Sequence, residues 1–519
     1  MLLLVGQCPA APILKFEIRE AETGELTAAR FSLLVNGVPF AAERVNRNAF
    51  RFLSVHESKQ QVFVATYARG TGRVEVNLPA AASTVELRIA KGFEYLPVQK
   101  TFSSDQLDVS HTVRLQRWTN LPARGWVAAD AHLHYDRFSS RANQLWFEMM
   151  KGDDLASAHF MFLKGGKVPG EWARQYGYGR KGEAVDGQRL ITAGMEYRDS
   201  AQGHINLLGM PEIVQPIMAG TGGLPNYPTL KSVLERARNL GGLSGVAHGG
   251  SLGGKATVIL DAILGAPDFI EIGNSHLFSL ENWYRLMNCG FIYPPAAGTD
   301  LPNYPERDWW QPFLGGMRMY VKVGDERGFN SFKESVRAGR VFVSSGPIIS
   351  LSVNGQEPGS RIRLPAKGGE VLVEAELASP RALHAFQLIQ NGGSISTRVV
   401  ATTNGIVSRW KIRQRLQITN SCWLAVRGEG IPIISLKRAM LPPVPWHRSD
   451  EAAHTAAVTI QVGDQPIWSG ADAHHLMAGL ELQKKFYATQ ARFEKPEHRA
   501  EMQDLFESAI ERLRRRKAE

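Results

Sequence analysis

Gly125-Trp126-Val127-Ala128-Ala129-Asp130-Ala131-His132-Leu133-His134 is a short apolar run that ends in two histidines separated by one residue. On a strand, residues i and i+2 project to the same face. Both imidazoles can therefore reach one point in space, at the end of a strand that reads as entering a parallel sheet. Active sites collect at the C-terminal ends of such strands, and two converging neutral imidazoles are a common start for a transition-metal site. An HxH by itself also fits two satisfied core histidines, so the weight falls on the residues downstream of it.

Ligand-type residues recur in order along the next part of the chain. Glu196 ends the apolar run Leu190 to Met195, and His204 opens Gly203-His204-Ile205-Asn206-Leu207-Leu208-Gly209. His248 closes Gly245-Val246-Ala247-His248, beside glycines that permit close approach. Asp268-Phe269-Ile270-Glu271-Ile272 is a further strand with His276 just beyond it, and Ala296-Ala297-Gly298-Thr299-Asp300 closes the series. Each alone is explained by core packing or helix capping. Their repetition at strand ends points to a metal centre.

The chain has 519 residues, too many for one core, and with 44% apolar and 21% charged residues it has the composition of an ordinary globular protein. The net charge of +10 is dispersed except at Arg512, Arg514, Arg515, Arg516 and Lys517. That cluster suits a solvated helix end, and without an accompanying basic-aromatic motif no nucleic-acid partner is expected. Three scattered cysteines (Cys8, Cys289, Cys422) offer no disulfide framework. No apolar run is long enough to span a bilayer. Met1-Leu2-Leu3-Leu4-Val5-Gly6-Gln7-Cys8 hints at the end of an export signal but lacks a basic start; the lean is extracytoplasmic, with a cytoplasmic location as the alternative. The oligomeric state is left open.

The patterning divides the chain into 1–122, 123–345, 346–470 and 471–519. The first part alternates apolar and polar residues between turn signals such as Asn36-Gly37 and Lys91-Gly92, which predicts an antiparallel β-sandwich. Its role is packing or spacing, with carbohydrate binding as the functional alternative. From 123 to 345 short strands alternate with helical segments (Arg141 to Met150, Tyr227 to Leu240, Leu280 to Asn288), predicting a parallel sheet, most simply a barrel. The stretch from Gly165 to Asp186 and that from Pro216 to Pro228 read as long loops suited to substrate contacts. A second sandwich is expected at 346–470. The tail is helical; its Asp472-Ala473-His474-His475 opens a helix, where neighbouring side chains diverge.

In this order the motifs resemble the CehA/McbA family of metallohydrolases, a branch of the PHP (polymerase and histidinol phosphatase) superfamily, over most of the chain. The likeness is carried by Gly125-Trp126 before Asp130-Ala131-His132-Leu133-His134, by Gly194-Met195-Glu196-Tyr197 followed by Gly203-His204-Ile205-Asn206, and by Val246-Ala247-His248, Ile270-Glu271-Ile272 and Ala297-Gly298-Thr299-Asp300. Gly316-Met317-Arg318-Met319-Tyr320-Val321 and Ala338 to Pro347 are similar to the stretch joining barrel to C-terminal sandwich. The resemblance implies a multidomain α/β plus all-β protein: a distorted (β/α)7 PHP-type barrel flanked by N- and C-terminal β-sandwich domains, with a helical C-terminal tail. It implies His132, His134, Glu196, His204, His248 and Asp300 as metal ligands, with His276 a less secure seventh. Asp130 is expected to orient a ligand imidazole, with Glu271 and Arg318 beside the site or facing substrate.

Two departures from the superfamily pattern reduce the expected metal count to one or two. The usual Thr-Asp-His is replaced by Ala156-Ser157-Ala158-His159-Phe160-Met161-Phe162, leaving His159 an uncertain site residue, and Asp300 is followed by Leu301-Pro302 instead of a histidine. Histidine-plus-carboxylate ligation suits Zn, Mn or Fe. The expected chemistry is hydrolysis: the cation brings the pKa of its water to about 7, with Asp300 or His204 shuttling the proton. The family suggests ester, carbamate or amide bonds in a small-molecule or glycoconjugate substrate. The wider superfamily makes a phosphoesterase the alternative, with Lys164, Lys167, Arg174, Arg180 and Lys181 as candidate anion contacts. A degenerate barrel that only binds a glycan or a protein is the non-enzymatic alternative.

Overall fold

The computed structural model describes residues 11–55, 62–165, 170–250, 255–274, 277–302, 309–324, 328–400, 406–429, 446–448 and 451–516. The Met1–Cys8 segment, Lys167, His276 and Lys517 lie outside the described residues. The chain forms two compact units, one of residues 1–121, 144–155 and 305–314, the other of 122–143, 156–304 and 315–519.

In the first unit, strand Ile13–Glu20 buries Leu14, Phe16 and Ile18 while Lys15, Glu17 and Arg19 stay partly exposed, the period-2 pattern of a half-buried strand. It lies between Val74–Asn77 and Ser110–Leu115, and a second sheet carries Ala49–Val55, Val62–Ala68, Ala29–Val35, Thr84–Ala90 and Val98–Ser103 in that spatial order. Inward side chains from both sheets share one core, including Phe16, Phe31, Leu33, Leu87 and Val113. The expected all-antiparallel pairing needs one correction, since Ile13–Glu20 runs parallel to Ser110–Leu115. The connection between those strands spans nearly the whole unit, so no local turn signal reports their direction.

In the second unit, Trp126–Leu133, Ser157–Lys164 and Arg189–Asp199 are successive parallel neighbours. Gly203–Leu208 then turns back antiparallel, pairing on its other edge with Leu243–Val246. Phe269–Asn274 and Pro295–Gly298 continue in parallel. Past Gly298 the chain rejoins the first strand, with Asp300 N donating to the His132 carbonyl (2.8 Å) and His134 N donating to the Leu301 carbonyl (2.7 Å). The sheet is therefore mixed, not wholly parallel as expected. Only Ser200, Ala201 and Gln202 separate the Glu196 strand from the His204 strand, and a parallel crossover needs a dozen residues or more.

Helices pack on this sheet by their apolar stripes. Leu230–Asn239 buries Leu230, Val233, Leu234 and Ala237, and begins where the Thr229 hydroxyl accepts from Ser232 N. This cap sets the start later than the periodicity from Tyr227 predicts. Glu281–Asn288 ends just before Cys289-Gly290 as expected. The β-rich region after 345 is continuous with the sheet, because Val341–Ser344 pairs with Ala452–Thr455. A separate three-stranded sheet joins Ile348–Val353, Gly369–Ser379 and Ser408–Ile418. The tail helices Gly470–Thr489 and Pro496–Arg516 bury Leu476, Leu480, Phe506 and Ile510 in the same core as Ile259, Trp283 and Leu286. No described helix is long and apolar enough to cross a membrane.

Candidate metal centre

The ends of these strands bring together six of the ligands expected from the sequence. His132 and His134 share a face as an i, i+2 pair, and their Nε2 atoms lie 3.0 Å apart. Asp300 Oδ1 is 3.5 Å from His132 Nε2 and 3.4 Å from His134 Nε2, and Glu196 Oε2 is 3.4 Å from His134 Nε2. His248 Nε2 lies 3.6 Å from Glu196 Oε1 and 3.8 Å from Asp300 Oδ2. With metal–ligand bonds of about 2.0–2.2 Å, two ligands on one ion lie roughly 3–3.5 Å apart, and most of these separations are of that size. Two overlapping groups can hold an ion, His132/His134/Asp300 and His132/Glu196/His248, and they share His132. His204 belongs to neither group, but its Nδ1 is 3.0 Å from Glu196 Oε1.

Backbone conformation places two of these side chains. His248 and Asp300 adopt φ of 51° and 54°, a left-handed conformation that non-glycine residues seldom take and that costs about 1–2 kcal/mol. Each stands just past the end of a strand and turns its side chain back over the strand ends. Gly298 permits the close approach of the closing strand, since a Cβ there would lie 2.4 Å from His132 Cβ.

Hydrogen bonds fix the tautomers. The Met161 carbonyl can only accept, so His134 Nδ1 carries the proton in their 2.9 Å bond and Nε2 presents a lone pair to the site. Glu271 does the same for His132, accepting from Nδ1 at 2.9 Å, and its other oxygen accepts from His248 N at 2.8 Å. Carboxylate–histidine pairs of this kind are the usual support of metal-binding imidazoles. Among the described residues, Glu196 Oε1 and His204 Nδ1 are buried without a hydrogen-bond partner despite their 3.0 Å separation, because their angles do not align. Two orphaned ligand atoms side by side fit a shared cation.

The electrostatics agree. Burial works against charge on His132, yet Glu271 and Asp300 push its pKa up to about 10. Burial likewise opposes charge on Glu196 and Asp300. Arg198 and His204 hold Glu196 well below the usual carboxylate range, and His132 with its neighbouring imidazoles does so for Asp300. Burial brings His248 down to about 4. The carboxylates that retain protons on buried imidazoles are also suited to balance a dication.

Three expectations change. Among the described residues Asp130 touches no imidazole: its carboxylate accepts from Thr299 Oγ1 (2.7 Å), Thr299 N (3.0 Å), Gly315 N (2.9 Å) and the backbone N of His132 (3.2 Å). It ties together the chain segments that carry His132 and Asp300, while Glu271 orients the ring. Arg318 is buried and its Nε donates to the Gly315 carbonyl at 2.5 Å. His159 faces away from the centre, bonding Thr192 Oγ1 (2.8 Å) and packing on Phe332, where burial lowers its pKa to about 3. In the tail, Asp472 pairs with Arg285 at 3.0 Å, and His474 and His475 are exposed.

Sequence reasoning missed Arg198, Asn206 and Asn274. Arg198 holds Glu196 Oε2 through Nε (2.8 Å) and Nη2 (2.7 Å). The carboxamides of Asn206 and Asn274 lie 3.1 and 3.4 Å from His132 Nδ1. Arg198 and Asn206 each stand two residues from a ligand on the same strand, and that i+2 relation was the available signal.

No family model and no curated protein matches the chain. Among solved structures it is similar to a lesion-specific endonuclease from Pyrococcus furiosus, at 15% identity over 41% of this chain and 56% of that one, with a TM-score of 0.27. An endonuclease Q bound to a 27-mer duplex with an abasic lesion aligns at 17% identity over the same shares, also at 0.27. PsfC from Pseudomonas syringae aligns at 16% identity over 39% of this chain and 84% of that one, at 0.24. The chain spans little more than half the length of the two endonucleases. Similarities this distant do not establish a shared fold.

Proposed function

We propose that this chain is a divalent-metal-dependent hydrolase that cleaves an ester, carbamate or amide bond, built on a PHP-type barrel and allied to the CehA/McbA branch. The observation that carries this reading is the convergence of His132, His134, Glu196, His248 and Asp300 within ligand-sharing distance. The barrel, distorted and seven-stranded, is supported by the hydrogen bonds that return Asp300 and Leu301 to the first strand. With it we propose the division into 1–122, 123–345, 346–470 and 471–519.

Those five residues, with His204 as a sixth donor where it is not the proton carrier, would hold one or two ions, and Zn, Mn and Fe all suit the donor set. A divalent ion there supplies Lewis acidity, polarising the scissile carbonyl and acidifying water near neutral pH. Glu271 and Met161 hold the Nδ1 protons of His132 and His134, which leaves Nε2 as the atom that would exchange its proton for an ion, and Arg198 keeps Glu196 ionised. His204, the most solvent-open of the four imidazoles at 18% exposure, and Asp300 are the groups placed to pass a proton to the leaving group. Carbonyl substrates are favoured over phosphate esters because, among the described residues, two arginines beside the ligand segments are engaged, Arg198 by Glu196 and Arg318 by the Gly315 carbonyl. The substrate is a small molecule or glycoconjugate, not a nucleic acid.

The test combines metal content per chain, by mass spectrometry on untagged protein purified without chelator, with p-nitrophenyl acetate, a carbamate, an anilide and p-nitrophenyl phosphate as substrates. One or two equivalents of metal with turnover of the first three, both abolished in His132→Ala, are expected. Preference for the phosphate would make the protein a phosphoesterase. Absence of metal after reconstitution would leave a binding module.

A further inference from the structure

Outside the metal centre, a cavity of about 380 Å³ opens among Glu281, Tyr284, Arg285, Asn391, Arg427 and Asp472. None of the metal ligands lines it, so it is a separate site, and its volume falls within the roughly 300–1,000 Å³ of small-molecule pockets. Four elements build it, one of them strand Cys422–Glu429, which carries Arg427. Helix Glu281–Asn288 supplies Glu281, Tyr284, Arg285 and Asn288, and the first turn of Gly470–Thr489 supplies Asp472. The last is the hairpin joining Ala385–Gln390 to Gly393–Val399, whose Asn391-Gly392 turn has φ of 48° and 80°, both positive as a type I′ turn requires. A Cβ at Gly392 would stand 3.2 Å from the Tyr284 ring and 3.6 Å from Asn288 Nδ2.

The chemistry of the walls selects a ligand class. Both guanidiniums are already matched by carboxylates: Arg285 pairs with Glu281 (2.8 Å) and Asp472 (3.0 Å), while Arg427 leans on the Gln387 carboxamide and lies 3.7 Å from Glu429. An anion or a cation entering the cavity finds its counter-charges already committed to one another. What the walls offer instead is a dense set of donors and acceptors on planar groups, held by a framework. Asn288 Oδ1 accepts from Trp423 Nε1 (2.8 Å), Asn391 Oδ1 accepts from Trp423 N (3.0 Å), and the Tyr284 hydroxyl is bonded to His454 Nε2 (2.6 Å). Arg285 Nε is buried with no hydrogen-bond partner among the described residues. Carboxylates, carboxamides and guanidiniums around one fixed aromatic side chain match a neutral, polyhydroxylated ligand, whose hydroxyl groups both donate and accept and whose C–H face packs on a ring.

We propose that this cavity is a saccharide-binding site for a neutral monosaccharide unit, with Tyr284 as the apolar platform and Glu281, Asn391 and Arg427 as hydroxyl contacts.

Saturation-transfer NMR on the full chain tests it, with methyl glycosides of glucose, galactose, mannose and N-acetylglucosamine at millimolar concentration, and glutamate and inorganic phosphate as charged probes. Transfer to at least one glycoside is expected, weakened at least tenfold in Tyr284→Leu and several-fold in Glu281→Gln. Tyr284→Phe, which keeps the ring, should still bind. Glu281 lies at the rim, so Glu281→Gln carries the test if Tyr284→Leu fails to fold. Binding should persist in His132→Ala, which separates this site from the metal centre. Absence of transfer to every glycoside, transfer only to the charged probes, binding indifferent to both Tyr284→Leu and Glu281→Gln, or loss of binding in His132→Ala would each overturn the assignment.

Discussion

Glu271→Gln changes one oxygen for an NH2 group and almost no volume, yet it should weaken metal binding by 10- to 100-fold. One carboxylate oxygen accepts from His132 Nδ1 at 2.9 Å and the other from the backbone N of His248 at 2.8 Å and Asn274 Nδ2 at 3.3 Å, and an amide cannot accept on both sides. If the amide oxygen faces His132, the NH2 group meets the His248 N–H and a buried donor is left unpaired, which costs about 1–3 kcal/mol. If the oxygen faces His248, the NH2 group meets His132 Nδ1 and drives the proton to Nε2, the atom aimed at His134 and Asp300. Either arrangement penalises the liganded state, and about 1.4–2.8 kcal/mol corresponds to that 10- to 100-fold range. Competition titration with a chromophoric chelator measures the loss, and circular dichroism verifies the fold. An affinity within twofold of wild type would refute the assignment of Glu271 as the residue that sets the His132 tautomer.

Arg198→Gln removes the Nε hydrogen bond and the Nη2 ion pair with Glu196 Oε2 and should weaken metal binding about tenfold in the same titration; unchanged affinity would show that Glu196 is held by other means. Gly298→Ala places a Cβ 2.6 Å from His132 N, so thermal denaturation should show overpacking of about 1–3 kcal/mol together with reduced metal per chain. Full metal content in a stable variant would mean that the strands separate freely there. His474→Ala with His475→Ala should leave metal content unchanged, because both side chains are exposed. Acid stability tests the buried histidines: burial lowers His159 and His454 to about 3, against about 6.5 in an unfolded chain. As pH falls below about 6.5 the unfolded state takes up these protons first, so the contribution of neutral burial is lost progressively toward about pH 3. Urea unfolding between about pH 7 and 4.5 should show this fall, with a shallower slope in His159→Gln. An unchanged slope would exclude His159 as a source of the acid sensitivity.

The candidate ligands were legible because metal binding would confine residue type and position together. Histidine or a carboxylate must sit at a strand end, and His132, His134, Glu196, His204, His248 and Asp300 stand out there against apolar runs and glycines. The groups that hold them are less legible. Asp130 stands next to the motif in sequence and was expected to orient an imidazole, whereas that work falls to Glu271, 139 residues from His132 along the chain. Proximity in sequence along a strand says little about proximity across a sheet, because neighbouring strands are set by topology. The pairing of Ile13–Glu20 with Ser110–Leu115 escaped prediction for the same reason, as did the location of His159, whose outward face depends on where the helix carrying Phe332 packs.

The antiparallel turn at Gly203–Leu208 shows how a departure from the expected sheet can serve the site. Had a helix separated the Glu196 and His204 strands, both would run the same way and each would bring its own C-terminal end to the centre. A three-residue link instead reverses the chain, so His204 enters from the beginning of its strand while Glu196 arrives near the end of the preceding one. The register then pairs Arg198 with His204 and Glu196 with Asn206 across the hairpin. One short segment thus delivers two candidate ligands, the guanidinium that holds one of them ionised, and the carboxamide beside His132. A longer link would relax that register, and a slip of one residue would turn His204 and Asn206 to the opposite face of the sheet. The brevity of the turn is therefore part of how the site is specified. A single alanine inserted between Ala201 and Gln202 should lower metal content far more than it lowers the melting temperature; equal metal content in the insertion variant would show that the site tolerates the slip and that the hairpin register is incidental.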